Sequence, residues 1–175
     1  MTINFGDGTT IESGGSLGKV LQVIQTVKQD TFSENMNANT VSGDMGLNVT
    51  ITPSSSSSKI LLFAQLTIGF VTDDHVGFTI LKGGSTISAY LPTSAGSRTT
   101  FSSGTSTRAN SYPVGVSGNF LDSPSTTSAT TYSVRIKYGR GVNGQTMFLN
   151  RAEVDTDAVH KQRAVSVVTA TEIAG

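Results

Sequence analysis

Alternation of apolar and polar positions is the strongest signal in this chain. A β-strand turns successive side chains to opposite faces, so residues two apart share a face. In Lys59 to Phe70 one face carries Ile60, Leu62, Ala64, Leu66, Ile68 and Phe70, and the other carries Leu61, Phe63, Gln65, Thr67 and Gly69. The first face is wholly apolar and the second mixed, which predicts a central strand. Tyr132 to Tyr138 alternates too: Tyr132, Val134, Ile136 and Tyr138 face one way, Ser133, Arg135 and Lys137 the other. That is the pattern of a half-buried antiparallel strand. Ala164 to Ile173 is rich in β-branched residues and reads as a closing strand. Lys19 to Lys28, Leu47 to Thr52, Val76 to Leu81, Thr86 to Leu91, Arg98 to Phe101, Val114 to Leu121 and Thr146 to Asn150 complete the set.

Turn chemistry separates these runs. Lys82-Gly83-Gly84-Ser85 predicts a hairpin, because glycine tolerates positive φ. Gly139 to Gly144 plays the same part before Thr146. Pro53 with Ser54 to Ser58, and Asp122 to Thr131 with Pro124, read as polar loops, and Ser102 to Ser111 as a long one. Ala152 to Arg163 has room for one helical turn but lacks an apolar stripe. Short strands at roughly regular spacing, without alternating helices or a repeat, predict an all-β antiparallel sandwich, jelly-roll-like, over residues 19–175.

Residues 1–18 differ. Ile3, Phe5, Ile11 and Leu17 stand isolated among Gly, Ser, Thr and Asp, too sparse to build a core. This predicts an extended N-terminal arm that becomes ordered on a partner, with those four residues as anchors. A floppy terminus is the plainer reading.

Composition removes several classes. Twelve Lys+Arg balance twelve Asp+Glu, and only 14% of residues are charged, against about 25% in an ordinary globular chain. Hydroxyls supply the missing polarity: 25 Thr and 23 Ser among 175 residues. Zero net charge argues against a nucleic-acid partner, which needs cations to displace counterions from phosphate. No apolar run approaches the roughly 18 residues of a membrane span. The start of the chain lacks the basic end and apolar core of a secretory signal. There is no Cys, so no disulfide, thiol nucleophile or thiolate metal site.

The search for chemistry is short. Asp73-Asp74-His75 and the neighbourhood of His160 lack the spacing of a metal site. Gly14-Gly15-Ser16-Leu17-Gly18 fits Gly-x-Ser-x-Gly, but that motif needs a strand before it and a helix after it. No catalytic residue, metal or cofactor is predicted. The positive signal is surface contact chemistry. Arg98, Arg108 and Tyr112 lead it, with Arg135, Lys137, Tyr138 and Arg140 as further candidates. Long loops on a rigid sandwich are where recognition tends to sit.

Gly18-Lys19-Val20-Leu21-Gln22-Val23, Ile51-Thr52-Pro53 with the serines through Ser58 and Lys59-Ile60-Leu61, Phe120-Leu121-Asp122-Ser123-Pro124, Thr126 to Tyr132 and Phe148-Leu149-Asn150-Arg151 follow in that order. Together they resemble small structural proteins of tailed bacteriophages, of the marine and cyanobacterial phage type. The resemblance covers most of the chain from Gly18 onward. It implies a virion part with a β-sandwich head and a homotrimeric state, and carries over no catalytic residue. Phe63, Phe78, Tyr90 and Phe148 are candidates for a three-fold axis, though core placement suits each of them as well.

Three readings stay open. The first is a short fibre or fibre tip, anchored to other phage virion proteins by the arm and contacting a host surface glycan or protein. The second is a capsid decoration protein. The third is a surface-glycan hydrolase, whose only acidic donors would be Asp73, Asp74, Glu153, Asp155 and Asp157.

Overall fold

The period-two pattern governs the observed architecture. The computed structural model describes residues 2–4, 10–12, 18–71, 74–93, 96–107 and 112–175. Its strands, in chain order, are β1 (Thr2–Asn4), β2 (Thr10–Glu12), β3 (Val20–Lys28), β4 (Phe32–Met36), β5 (Asn48–Ile51), β6 (Lys59–Phe70) and β7 (Asp74–Lys82). Then follow β8 (Ser85–Thr86), β9 (Ser103–Thr107), β10 (Val114–Asp122), β11 (Thr130–Tyr138), β12 (Gln145–Leu149) and β13 (Ser166–Ile173). All pairings among them are antiparallel.

Two sheets face each other. In the first, β3 and β4 run along one edge, β13 and β12 lie beside them, then comes β6, then β10. In the second the order is β5, β11, β7, with β8 and β9 sharing the far side of β7. Strands that share a position form eight positions along the chain. The first sheet then holds positions one, eight, three and six, and the second holds two, seven, four and five. That interleaving is the jelly-roll wrap. It follows from connections that keep crossing between sheets, at residues 37–47, 52–58, 71–73, 108–113, 123–129 and 139–144.

The core lies between the sheets. Ile60, Leu62, Ala64, Leu66 and Ile68 of β6 point inward with Val168 and Ala170 of β13, against Val76, Phe78 and Ile80 of β7 and Val134 and Ile136 of β11. All are essentially inaccessible to water, so burial of apolar area is what joins the layers.

Gly83 and Gly84 both have positive φ, 56° and 86°, and Lys82 pairs with Ser85. This is the expected two-residue hairpin, with the twist that suits antiparallel strands. The Gly139–Gly144 turn departs from expectation: it carries the chain from β11 to β12 across the sandwich, not around a hairpin. Thr86 to Leu91 also departs. Only Ser85–Thr86 is strand, and a 3₁₀ turn follows at Ser88–Tyr90. That turn brings the Tyr90 ring to 4.9 Å from Phe120, closing the sandwich edge.

Arg98 to Phe101 is irregular, and the strand begins at Ser103, inside the expected loop. The reason is a seat for Phe101. A Cβ at Gly77, Gly104 or Gly139 would come within 2.8 Å of the Phe101 ring. Gly77 and Gly104 on paired strands, with Gly139 just past the end of β11, thus make the flat place where the ring lies. Ala152 to Arg163 forms turns and bends without a helix.

β12 and β13 continue one line interrupted by residues 150–165, and Asn150 closes the gap. Its N–H donates to the Thr67 carbonyl, its Nδ2 to the carbonyls of Lys28 and Asp30, and its Oδ1 accepts from Ser166 at 2.6 Å. At the other end the chain's entry and exit are stitched together. Gly18 N–H donates to Ala174 O, and Ala174 N–H to Lys19 O. Within the arm, Ile3 and Ile11 are register partners of β1 and β2. Phe5 and Leu17 lie outside the described residues.

Candidate binding surfaces

The molecule has two unlike ends. At one end are the start of β3, the end of β13 and the start of β6, so the arm enters beside the last residues of the chain. At the other, the end of β6, the start of β7, the end of β11 and the start of β10 come together. Arg98, Tyr112 and Arg140 belong to loops of this second end. Tyr112 is exposed, two residues before Val114, which pairs with Ile68. Arg108 lies outside the described residues.

The Phe101 seat organises this loop end. Ser102 N–H donates to Phe78 O at 2.9 Å, and Thr99 Oγ1 to Gly139 O at 2.9 Å. Two shallow hollows of about 410 Å³ each flank the ring. One is lined by His75, Arg98, Thr99 and Gly139, the other by His75, Pro92, Thr105 and Ser106. An exposed imidazole, a guanidinium, hydroxyls and one aromatic ring are the groups that meet a polar surface such as a glycan or a loop of another protein.

Other expected contact residues are engaged elsewhere. Tyr138 is wholly buried between the sheets. Arg135 bonds to Asp44 at 2.5 Å, and with the Gly46 N–H and Asn48 it holds the Asp44 carboxyl down at about 2. Burial pushes the Lys137 ammonium below its usual range. These three serve packing and a polar outer face.

Two of the acidic candidates, Asp155 and Asp157, line one hollow of about 270 Å³. Asp155 accepts two bonds from Arg163, at 2.9 and 2.6 Å, and the guanidinium holds its carboxyl below the usual range. Asp73 lies outside the described residues, as do residues 14–17 of the Gly-x-Ser-x-Gly match. Among the described residues no three His, Asp or Glu side chains are close enough to share a metal ion.

Three buried polar groups went unnoticed in the sequence. Glu172 is fully buried and caged. Gln22 Nε2, Ser54 N–H and Ser54 Oγ donate to it at 2.6 to 2.7 Å. Burial pushes its carboxyl up, but these bonds outweigh burial and hold it down at about 2. Asp122 accepts from Tyr132 Oη at 2.7 Å and pairs with Lys82 at 2.9 Å, clasping the two sheets. Burial, then the bond to Asp122, pushes the Tyr132 hydroxyl far up. Asn150 is the third.

Among the described residues, the outer face of the first sheet leaves several large apolar side chains exposed. Cross-strand register sorts it into rows. Val20, Ile173 and Lys59 form the first row. Val23, Thr171, Leu61 and Leu121 form the second. Gln25, Thr169, Phe63 and Asn119 form the third, with Gln25 Nε2 donating to Thr169 Oγ1. Val27, Val167, Gln65 and Ser117 form the fourth. Val23 is 59% exposed and Leu121 56%. Of the four aromatics considered for an axis, Phe78 is core, Tyr90 packs on Phe120, and Phe148 lies under the Arg151 guanidinium at 4.2 Å. Phe63 alone remains in the middle of this bare face.

These features define an all-β jelly-roll module with two unlike ends and, among the described residues, a sheet face that leaves valines and leucines exposed. No protein-family model matches the chain, and no curated protein matches it in sequence.

Proposed function

We propose that this chain is a non-enzymatic structural module of a bacteriophage virion: a short trimeric fibre or fibre tip. Residues 1–18 anchor it to other virion proteins, and the loop end meets a host surface or another virion protein. The observation that carries the reading is the separation of the two ends. The arm enters at the start of β6, and the loops that carry Arg98 and Tyr112 lie at its finish. Twelve residues of strand put them roughly 35 Å apart. A module that must be held at one place and touch another has that layout. Arg163 favours the ionised form of Asp155, which does not suit it to be a glycosidic general acid.

Imaging the intact particle with this protein located tests the reading. Density for the arm inside a tail or baseplate protein, with the loop end pointing away, is the expected result. Finding the arm seated on capsid subunits overturns the fibre and leaves the decoration reading.

A further inference from the structure

We infer that the outer face of the first sheet is buried against further copies of this same chain. The inference names the surface on which the proposed trimer closes, and rests on that reading only for the number of copies. Three observations carry it.

The first is contrast. The second sheet covers its own outer face with the Phe101 loop and the Arg135–Asp44 pair, whereas the first leaves valines and leucines in water. Leu61 and Leu121 are adjacent, Val23 stands in the same row beyond Thr171, and Phe63 is one row away. Contiguous exposed apolar surface of this kind marks an association site.

The second is charge. Rows two to four hold no charged side chain. Around a three-fold axis the residues nearest the axis meet their own copies, so a fixed charge there would meet its like. A neutral face is self-complementary; it offers nothing to a basic or acidic partner. Its polar members are partly paired already, as Gln25 with Thr169, so burial strands fewer donors.

The third is size. Four strands and about seven residues of each make a plan area of roughly 20 by 20 Å. Before side-chain relief is counted, that is about half of the 800 Å² per partner in a standard interface.

The test is the native mass of the full chain, wild type beside Val23→Lys/Leu121→Lys, with far-ultraviolet circular dichroism as a fold check. Thr50→Lys, on the outer face of the second sheet, is the control. We expect wild type and control at three times the 18.2 kDa chain mass, and the double variant as a folded single chain. Should the lysines disturb the fold, Val23→Thr/Leu121→Gln must still weaken association at least tenfold. A double variant that stays associated overturns the face. A wild type of two copies, made single by the lysines, keeps the face and overturns the three-fold reading. A monomeric wild type overturns the inference, and one that associates only when residues 1–17 are removed shows that its own arm covers the face.

Discussion

Glu172 is the clearest case of a residue whose environment dictates a measurable property. Its carboxyl sits near 2 in the fold and has an ordinary value of 4.5. A depressed carboxylate stabilises the fold above its unfolded value, and that stabilisation is lost as pH falls through the folded one. The protein should therefore lose urea resistance between about pH 4.5 and pH 2. Asp44 titrates in the same window, but its exposed ion pair is worth less. Glu172→Gln should cost about 2 kcal/mol at pH 7, because a buried cage loses its charge-assisted acceptor. It should also flatten the acid dependence. Urea midpoints from pH 7 to 2.5 read both effects, and equal slopes in the two proteins would refute the cage. The position of Glu172 was half legible: in Ala170-Thr171-Glu172 it shares parity with the inward residues. Its partners were not, since Gln22 and Ser54 lie 150 and 118 residues away.

Elements were legible where alternation was strong and opaque where a side chain from elsewhere decided them. Lys59–Phe70 is observed with the expected bounds, and Tyr132–Tyr138 starts two residues early. β4, Phe-Ser-Glu-Asn-Met, went unseen because its polar residues only make sense once paired with β12. β9 hid among hydroxyls for the same reason: Gly104 opposite Gly77 reads as a loop until Phe101 covers both. Gly104→Ala should therefore unseat the ring, at about 1–3 kcal/mol of overpacking. Hydrogen exchange should speed up at Ser102 and Gly139, whose amides bond to Phe78 and His75, while β3 and β13 stay protected. Unchanged exchange at Ser102 would show that the ring does not hold the loop. Asn150→Ala should remove three side-chain bonds at the β12–β13 junction and lower stability by about 2–3 kcal/mol, read as a shift in urea midpoint with no change in slope.

For the whole molecule, strand count and spacing made the sandwich legible, but not which strands share an edge. That depends on long-range pairs such as β3 with β13, which join the two ends of the chain. The bare face was foreshadowed by the mixed second face of Lys59–Phe70. It became visible only when Leu121 arrived beside Leu61, with Val23 in the same row. The low charge count now has a location: the neutral rows of this face. Association through it should be insensitive to salt, because no screened ion pair holds it. The thermal midpoint should rise with protein concentration equally in 0.05 and 1 M NaCl; dissociation by salt would point to a charged surface instead.

The proposed contact between copies of the chain lies on this sheet. Since the chain contains no cysteine, one introduced thiol reports on its own surroundings. Gln65→Cys, in the middle strand of the face, treated in dilute solution with a short bifunctional thiol cross-linker, should join chains covalently, and Thr50→Cys on the opposite sheet should not. Single chains from Gln65→Cys, with joined chains from Thr50→Cys, would contradict the account.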